Sequence, residues 1–207
     1  MTETTAAWLG LVLYAMYGAL AVGLRILVQL VTSGDSGLRG AGGRVGSPEW
    51  WARLLFVVAV MVGAAAPVAQ LLGLDSVFEA SAARVAGLVI SAAGILLTLG
   101  VQLAMGKSWR VGVDPEERTE LVTGGPFRIV RNPIFTATMV TFFGLALLVP
   151  NWLAILGFAL LVVALELQVR VVEEPYLLTA HEADYGPYAQ RVGRFVPFVG
   201  RRRGPAS

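Results

Sequence analysis

The stretch PIFTATMVTFFGLALLVPNWLAILGFALLVVAL, residues 133–165, contains no charged side chain and is interrupted by Pro150-Asn151. A membrane-spanning helix needs roughly 20 mainly apolar residues. The segments 133–149 and 152–172 therefore predict two membrane-spanning helices, of which the first is short. Proline followed by asparagine favours a turn, so we expect a tight hairpin between the two helices.

The rest of the chain is similarly apolar. Of its 207 residues, 56% are hydrophobic and 14% are charged, whereas a soluble domain is about 25% charged. Three more segments approach the length of a span, at 6–31, 50–73 and 82–106. The sequence therefore predicts an all-α integral membrane protein of one domain, 1–207. We expect five transmembrane helices and a cytoplasmic C-terminal cap of short helices.

Small residues recur at four-residue steps in the first and third predicted spans. Such residues allow helix backbones to approach closely in membranes. The pattern predicts tight helix packing at Ala15, Ala19, Gly23, Ala83, Gly87 and Ser91.

The basic residues indicate an orientation. Of the sixteen Lys and Arg residues, all but Arg25 and Arg84 fall in the loops 32–53 and 107–132 or in the chain from Arg170 onward. Cytoplasmic loops of membrane proteins carry such an excess. We therefore expect a multi-pass cell-membrane protein with its N-terminus outside, its C-terminus in the cytoplasm and membrane lipids as partners. Nothing in the sequence predicts a nucleic-acid partner.

Metal chemistry is not expected from this composition. The chain has no cysteine and one histidine, His181. Thiolate and multi-histidine centres both need more ligands than these.

Ionisable groups inside a membrane span often mark a functional site, because they are costly to place in lipid. The fifth predicted span ends with Glu166, Arg170, Glu173 and Glu174. Positions 166, 170 and 173 share one helical face, so the adjacent glutamates should have different partners. The alternative is an interfacial helix end with solvated charges. Pro175 should either kink or end this helix.

A second group of polar residues precedes the fourth predicted span, in LVTGGPFRIVRNPIF, residues 121–135. Gly124-Gly125-Pro126 favours a turn whose backbone N–H groups can hold an anionic group. Arg128 and Arg131 follow at once. Neither the phosphate-loop pattern nor the dinucleotide-binding glycine pattern is present. Near the C-terminus, the tyrosine and arginine spacing is typical of an amphipathic helix on a membrane surface.

The segment 121–135 resembles L-V-T-x-G-P-[YF]-R-x-V-R-[HN]-P-x-[YF], a signature of the isoprenylcysteine carboxyl methyltransferase and phospholipid methyltransferase superfamily. A second superfamily motif, E-E-x-x-L-x-x-x-F-G-x-x-Y-x-x-Y-x-x-R-V-P-R, is similar to residues 173–194. The resemblance covers roughly 103–198. The chain departs from the pattern at three places, where Asn132 replaces histidine, His181-Glu182 replace Phe-Gly and Gly193 replaces proline.

The resemblance implies S-adenosylmethionine as cofactor, bound on the cytoplasmic side between the helix bundle and the cap. Backbone contacts to it are implied for the turn, and Arg131 and Asn132 are implied to reach its methionine end. Glu173 or Glu174 would face its ammonium group or the substrate. The cofactor-binding residues implied in this way are Leu121, Val122, Gly125, Pro126, Phe127, Arg131, Asn132, Pro133, Glu173, Glu174, Tyr185 and Tyr188.

The resemblance further implies methylation of a lipophilic or lipidated substrate that enters from the bilayer. An isoprenylcysteine-like carboxylate needs no base, whereas a lipid amine must lose a proton. Glu173 and Glu174, with Arg170 beside them, are the candidate catalytic residues. Two alternatives remain, namely an NADPH-dependent ene or sterol-type reductase that uses Arg110, Arg128 and Arg131, and a non-catalytic membrane scaffold. The oligomeric state is not predicted.

Overall fold

The computed structural model describes residues 1–24, 44–79, 81–105 and 121–202. Within these ranges the chain is helical, and its only strand-like pairing is one isolated parallel bridge between Val130 and Gly193. The predicted all-α class is therefore confirmed for this part of the chain. The end of the first predicted span at 25–31, most of the first loop and residues 106–120 lie outside the described residues.

The helices follow the predicted apolar segments closely. Helix α1 is Glu3–Tyr17 and runs on through a π-helical turn, Gly18–Leu24. Four long helices follow, α2 (Pro48–Leu71), α3 (Ser81–Met105), α4 (Pro133–Leu148) and α5 (Trp152–Leu167). A second π-helical turn, Gln168–Glu173, leads into α6 (Glu174–Ala180), and α7 is Glu182–Arg191.

Four helical segments of the described chain are long and apolar enough to cross a membrane, namely Glu3–Ala21, Pro48–Leu71, Ser81–Ala104 and Trp152–Ala180. Helix α4 has 16 residues, which is about 24 Å at 1.5 Å per residue. That is less than the roughly 30 Å of a hydrocarbon core. The structure thus has four candidate spans and one shorter apolar helix, and the five-span arrangement stays a prediction.

The fifth apolar helix extends further than predicted. Instead of ending near 172, it continues through the π-helical turn into α6. Pro175 lies in the first turn of α6. Proline has no N–H to donate, and it follows the π-helical turn, where the regular α-helical hydrogen bonding is already interrupted.

Small residues bring the helices into backbone contact, as predicted for Gly87 and Ser91. A Cβ atom added to Gly87 would lie 2.4 Å from the Leu148 nitrogen, and one on Gly144 would lie 2.5 Å from the Ser91 nitrogen. Helices α3 and α4 therefore pack without side chains between them at these positions. Van der Waals contact of this kind is what holds helices together in lipid.

The hairpin between α4 and α5 is held by Asn151, which is fully buried. Its side chain accepts from the Ala154 N–H at 3.1 Å and donates to the Ala66 carbonyl at 2.9 Å. It thus caps α5 and ties the hairpin to α2. The opposite ends of α4 and α5 consequently lie together, which brings residues before Pro133 close to those after Leu167.

Arg84, one of the two exceptions in the distribution of basic residues, is neutralised within the protein. Its Nη2 lies 2.5 Å from Glu3 Oε1, and its side chain is buried. The ion pair joins the start of α3 to the start of α1.

Candidate functional site

The C-terminal segment docks on the residues that precede α4. The Arg131 N–H donates to the Gly193 carbonyl at 2.8 Å, and the Asn132 N–H donates to the Arg194 carbonyl at 3.1 Å. The Asn132 side-chain amide donates to the same carbonyl at 3.3 Å. Asn132, which was predicted to reach a cofactor, is therefore engaged in fastening the C-terminal segment. Pro133, also a predicted site residue, is buried as the first residue of α4.

The predicted glycine-proline turn is confirmed. Gly125–Arg128 forms a single 3-10 turn, and Gly125 has φ +56°, a conformation that glycine adopts without strain. The Tyr188 hydroxyl donates to the Phe127 carbonyl at 2.7 Å. Leu121 packs against the core formed by Tyr185, Tyr188 and Ala189. Val122 and Pro126, the remaining predicted residues of the turn, are half-buried beside it.

Arg131 is the buried cation of the site, with 5% of its surface exposed. Its Nη2 lies 3.1 Å from Glu174 Oε1 and donates to the Gly200 carbonyl at 2.7 Å. Its Nη1 donates to the Tyr185 hydroxyl at 3.3 Å. Its Nε is buried and has no hydrogen-bond partner among the described residues. One donor of Arg131 therefore remains available to an acceptor from outside the described chain.

Glu174 is held by two arginines. Besides Arg131, Arg194 binds it through two parallel hydrogen bonds, from Nε to Oε1 at 2.8 Å and from Nη2 to Oε2 at 3.0 Å. The Glu174 side chain is 7% exposed, and a buried carboxylate requires such compensation. The hydrogen bond from Arg194 to Glu174 also raises the pKa of Arg194. The Arg194 guanidinium is thus held in its charged form beside Glu174.

Glu173 has different surroundings from its neighbour, as predicted for two adjacent glutamates. It ends the π-helical turn, and its Oε1 accepts from Gln168 Nε2 at 3.2 Å. No arginine or lysine of the described chain forms an ion pair with it. π-Helical turns within α-helices are frequent at functional sites. Glu173 is consequently the carboxylate of this network that has no ion-pair partner among the described residues.

Arg170 lies at the exposed edge of this network. Its side chain is 60% exposed and pairs with Glu166 four residues earlier, which confirms that predicted pair. Glu166 also lies 3.6 Å from Arg194 Nη1. The pair therefore extends the buried charges toward the surface, and the structure does not place Arg170 next to Glu173 through any described contact.

The two tyrosines of α7 are hydrogen-bond donors and acceptors that stay protonated at neutral pH. Burial raises the pKa of Tyr188 to about 12, with Tyr185 adding to the shift and Arg131 opposing it. Burial also raises the pKa of Tyr185, against the influence of Arg131. Their hydroxyl groups bond to the Phe127 carbonyl and to Arg131.

Sequence reasoning missed three members of this network, namely Gln168, Arg194 and Gly200. Arg194 stood out only as one of several arginines in a basic segment, and nothing local distinguishes it from the exposed Arg191. Gly200 takes part through its backbone, which a side-chain pattern does not reveal. In the described ranges, no group of His, Asp and Glu side chains is placed to hold a metal ion.

Comparisons with known proteins match the half of the chain that contains most of these residues. The model of the phospholipid methyltransferase family matches residues 82–184. Protein-S-isoprenylcysteine O-methyltransferase B of Arabidopsis thaliana is 30% identical over 115 residues, which are 55% of this chain and 58% of that protein. Both matches fall within the isoprenylcysteine carboxyl methyltransferase and phospholipid methyltransferase superfamily, which the sequence motifs resemble. The family match begins in α3 and ends just before Tyr185, so it covers the turn, Arg131, Glu173 and Glu174 but not Arg194.

Proposed function

We propose that this protein is an integral-membrane methyltransferase that uses S-adenosylmethionine and acts on a lipophilic substrate. The observation that carries the proposal is the division of roles between the adjacent glutamates. Glu174 is neutralised by Arg131 and Arg194. Glu173 lies beside them with Gln168 as its described partner. Such a carboxylate suits a cationic ligand, and residues 82–184 match the model of a methyltransferase family.

The residues of the site fit S-adenosylmethionine in charge. This cofactor carries a sulfonium and an ammonium against one carboxylate, so its net charge is positive. Glu173 would attract the cationic groups, and the unpartnered Nε–H of Arg131 would donate to the carboxylate. The strongly anionic NADPH would instead need cations that are not already paired. Arg131, one of those considered for that role, is committed to Glu174.

The chemistry that the cofactor supplies is an activated methyl group on a sulfonium, which an in-line nucleophile displaces. The protein therefore has to align the reactants and keep water away. Tyr188 would hold the turn through Phe127, and Arg131 would fasten the C-terminal segment over it through Gly200. For a carboxylate acceptor nothing more is required. For an amine acceptor, Glu173 is the better base, since Glu174 is bound by two arginines.

The site lies at the end of the helical hairpin where α4 begins and α5 ends. The distribution of basic residues supports a cytoplasmic location for this end. The arrangement we propose has five spans in the cell membrane and the N-terminus outside. A soluble cofactor would then arrive from the cytoplasm, while a lipophilic acceptor would enter from the bilayer. Isoprenylcysteine-like carboxylates and lipid amines are the two acceptor classes we propose.

Methyl transfer in a reconstituted system tests this proposal. The purified protein in lipid nanodiscs would receive S-adenosylmethionine labelled on the methyl group, with either a prenylated cysteine or phosphatidylethanolamine as acceptor. We expect label in the organic phase with one acceptor and much less of it with Glu173→Gln. If the cofactor binds but neither acceptor becomes labelled, the proposal that the substrate belongs to one of these two acceptor classes is wrong.

A further inference from the structure

Gly193 and Arg194 bond to the residues that precede α4, and the chain that follows them lies beside the first turn of this helix. The Phe195 carbonyl accepts from the Thr136 hydroxyl at 2.8 Å, and Thr136 lies one turn inside this apolar helix. Phe195 itself is buried. The residues that follow it, Val196–Arg202, therefore leave the protein at the height where an apolar helix begins. We call Val196–Arg202 the interfacial loop.

The apolar side chains of the interfacial loop are exposed. Val196 is 53% exposed, Phe198 74% and Val199 62%. Arg201 and Arg202 follow directly and are exposed as well. From 185 to 202 the sequence contains no Asp or Glu. Exposed apolar residues next to unopposed basic ones form a surface that complements an anionic membrane interface.

The backbone of the loop turns Phe198 outward. The Arg194 N–H donates to the Val199 carbonyl at 2.8 Å, and the Val199 N–H donates to the Val196 carbonyl at 3.1 Å. Phe198 has φ +69°, which bulky residues rarely adopt. Its ring lies 4.7 Å from the guanidinium carbon of Arg201. The compact loop thus holds an aromatic ring and a cation together at the surface. Phenylalanine side chains are usually buried in the protein interior, so this exposed ring is unusual.

We propose that the interfacial loop is a membrane anchor that inserts Val196, Phe198 and Val199 into the bilayer interface. Arg201 and Arg202 would bind the phosphates of anionic lipids, with their stems along the apolar surface. A bilayer is the fitting occupant because the loop adjoins the start of α4 and presents both apolar and basic groups. This anchor does not depend on methyl transfer.

The anchor has a consequence for the site. Gly200 belongs to the same loop, and its carbonyl accepts from Arg131 Nη2 at 2.7 Å. Lipid contact on both sides of Gly200 would restrain this carbonyl. Anionic lipid would therefore help to keep the C-terminal segment closed over the charged network.

The absence of cysteine from the chain allows a direct test. A nitroxide label would be attached to Val199→Cys, with Val196→Cys as a second position and Gln190→Cys, on an exposed site of α7, as the control. The full chain would be placed in nanodiscs of phosphatidylcholine alone or mixed in equal parts with phosphatidylglycerol. Spin relaxation by oxygen reports lipid contact, and relaxation by a water-soluble nickel chelate reports water.

We expect the labels at 199 and 196 to respond to oxygen and the label at 190 to respond to nickel. Changing Arg201 and Arg202 to Gln should shift the 199 label toward water in the mixed bilayer and leave it unchanged in phosphatidylcholine alone. Labels that report water like position 190 would overturn the anchor. Protection from both reagents would also overturn it, because a second copy or another protein would then cover the loop. An arginine change without effect in the mixed bilayer would refute the anionic-lipid contact.

Discussion

Arg131 and Glu174 form a buried ion pair, with Arg131 Nη2 lying 3.1 Å from Glu174 Oε1. Arg131 precedes α4 and Glu174 begins α6, so the pair joins the two open ends of the α4–α5 hairpin. Arg194 binds the same carboxylate from the C-terminal segment. One carboxylate thus connects three parts of the chain at the proposed cofactor site.

Arg131→Ala should lower both stability and cofactor affinity. Removing one partner of a buried ion pair costs about 3–5 kcal/mol, although the remaining bond from Arg194 to Glu174 should reduce this loss. Affinity for S-adenosylmethionine should fall roughly ten- to a hundredfold, as expected for a lost charge-assisted hydrogen bond. Arg131→Lys should restore part of the stability and part of the affinity, because lysine keeps the positive charge but lacks the planar guanidinium that can form two parallel hydrogen bonds. Thermal unfolding in detergent and calorimetry on the same samples measure both effects.

Arg128→Ala is the matched control, because Arg128 lies three residues away in the same segment and is exposed. It should leave the unfolding temperature and the affinity near the parent values. Parental behaviour of Arg131→Ala in both measurements would remove Arg131 from the site.

The two glutamates should respond differently to the same change. Glu173→Gln keeps the shape and can still bond Gln168, so the protein should fold normally while cofactor affinity or turnover falls. Glu174→Gln removes the carboxylate that Arg131 and Arg194 share and leaves the buried Arg131 without a described ion-pair partner, so it should lower the unfolding temperature. Unfolding, affinity and turnover should be measured for both variants. The assignment is wrong if Glu174→Gln alone impairs turnover in a protein of parental stability.

The features predictable from sequence are those set by local spacing. Helix lengths follow from apolar runs, the turn follows from Gly124-Gly125-Pro126, and the Glu166–Arg170 pair follows from helical periodicity. The bonds from Arg194 to Glu174 depend on how the C-terminal segment docks on α4, which no local pattern encodes. The same holds for the π-helical turn at 168–173, which no local pattern of the sequence marks.

Gly193→Ala should disrupt the docking of the C-terminal segment. A Cβ atom there would lie 2.1 Å from the Val196 carbonyl oxygen, and backbone cannot move aside as a side chain can. The bonds from Arg131 and Asn132 to this segment should weaken, and cofactor affinity should fall with them.

Gly186→Ala is the control for Gly193→Ala. Gly186 lies within α7, and a Cβ atom there would meet nothing within 4 Å apart from its chain neighbours. Alanine has the higher helix propensity, but Pro187 follows and disfavours helical backbone for a preceding residue with a Cβ, so the two effects oppose each other. The unfolding temperature should therefore stay near the parent value for Gly186→Ala and fall clearly for Gly193→Ala, and equal shifts would contradict the proposed packing at Gly193.

The orientation is testable with reporters fused after Ser207. The distribution of basic residues predicts that a reporter active only in the cytoplasm works there, and that one requiring the outer side does not. The same pair of reporters fused ahead of Met1 should give the reverse result. Activity of the outer-side reporter at the C-terminus would place the site on the wrong side of the membrane for a cytoplasmic cofactor.

The most direct test of the central claim is the binding of S-adenosylmethionine, S-adenosylhomocysteine and NADPH to the same detergent-purified protein by calorimetry. We predict micromolar binding of at least one adenosyl compound, weakened in Glu173→Gln, and no binding of NADPH. Binding of NADPH with no binding of either adenosyl compound would contradict the methyltransferase proposal and favour a reductase. Binding of none of the three by folded protein would favour a non-catalytic scaffold.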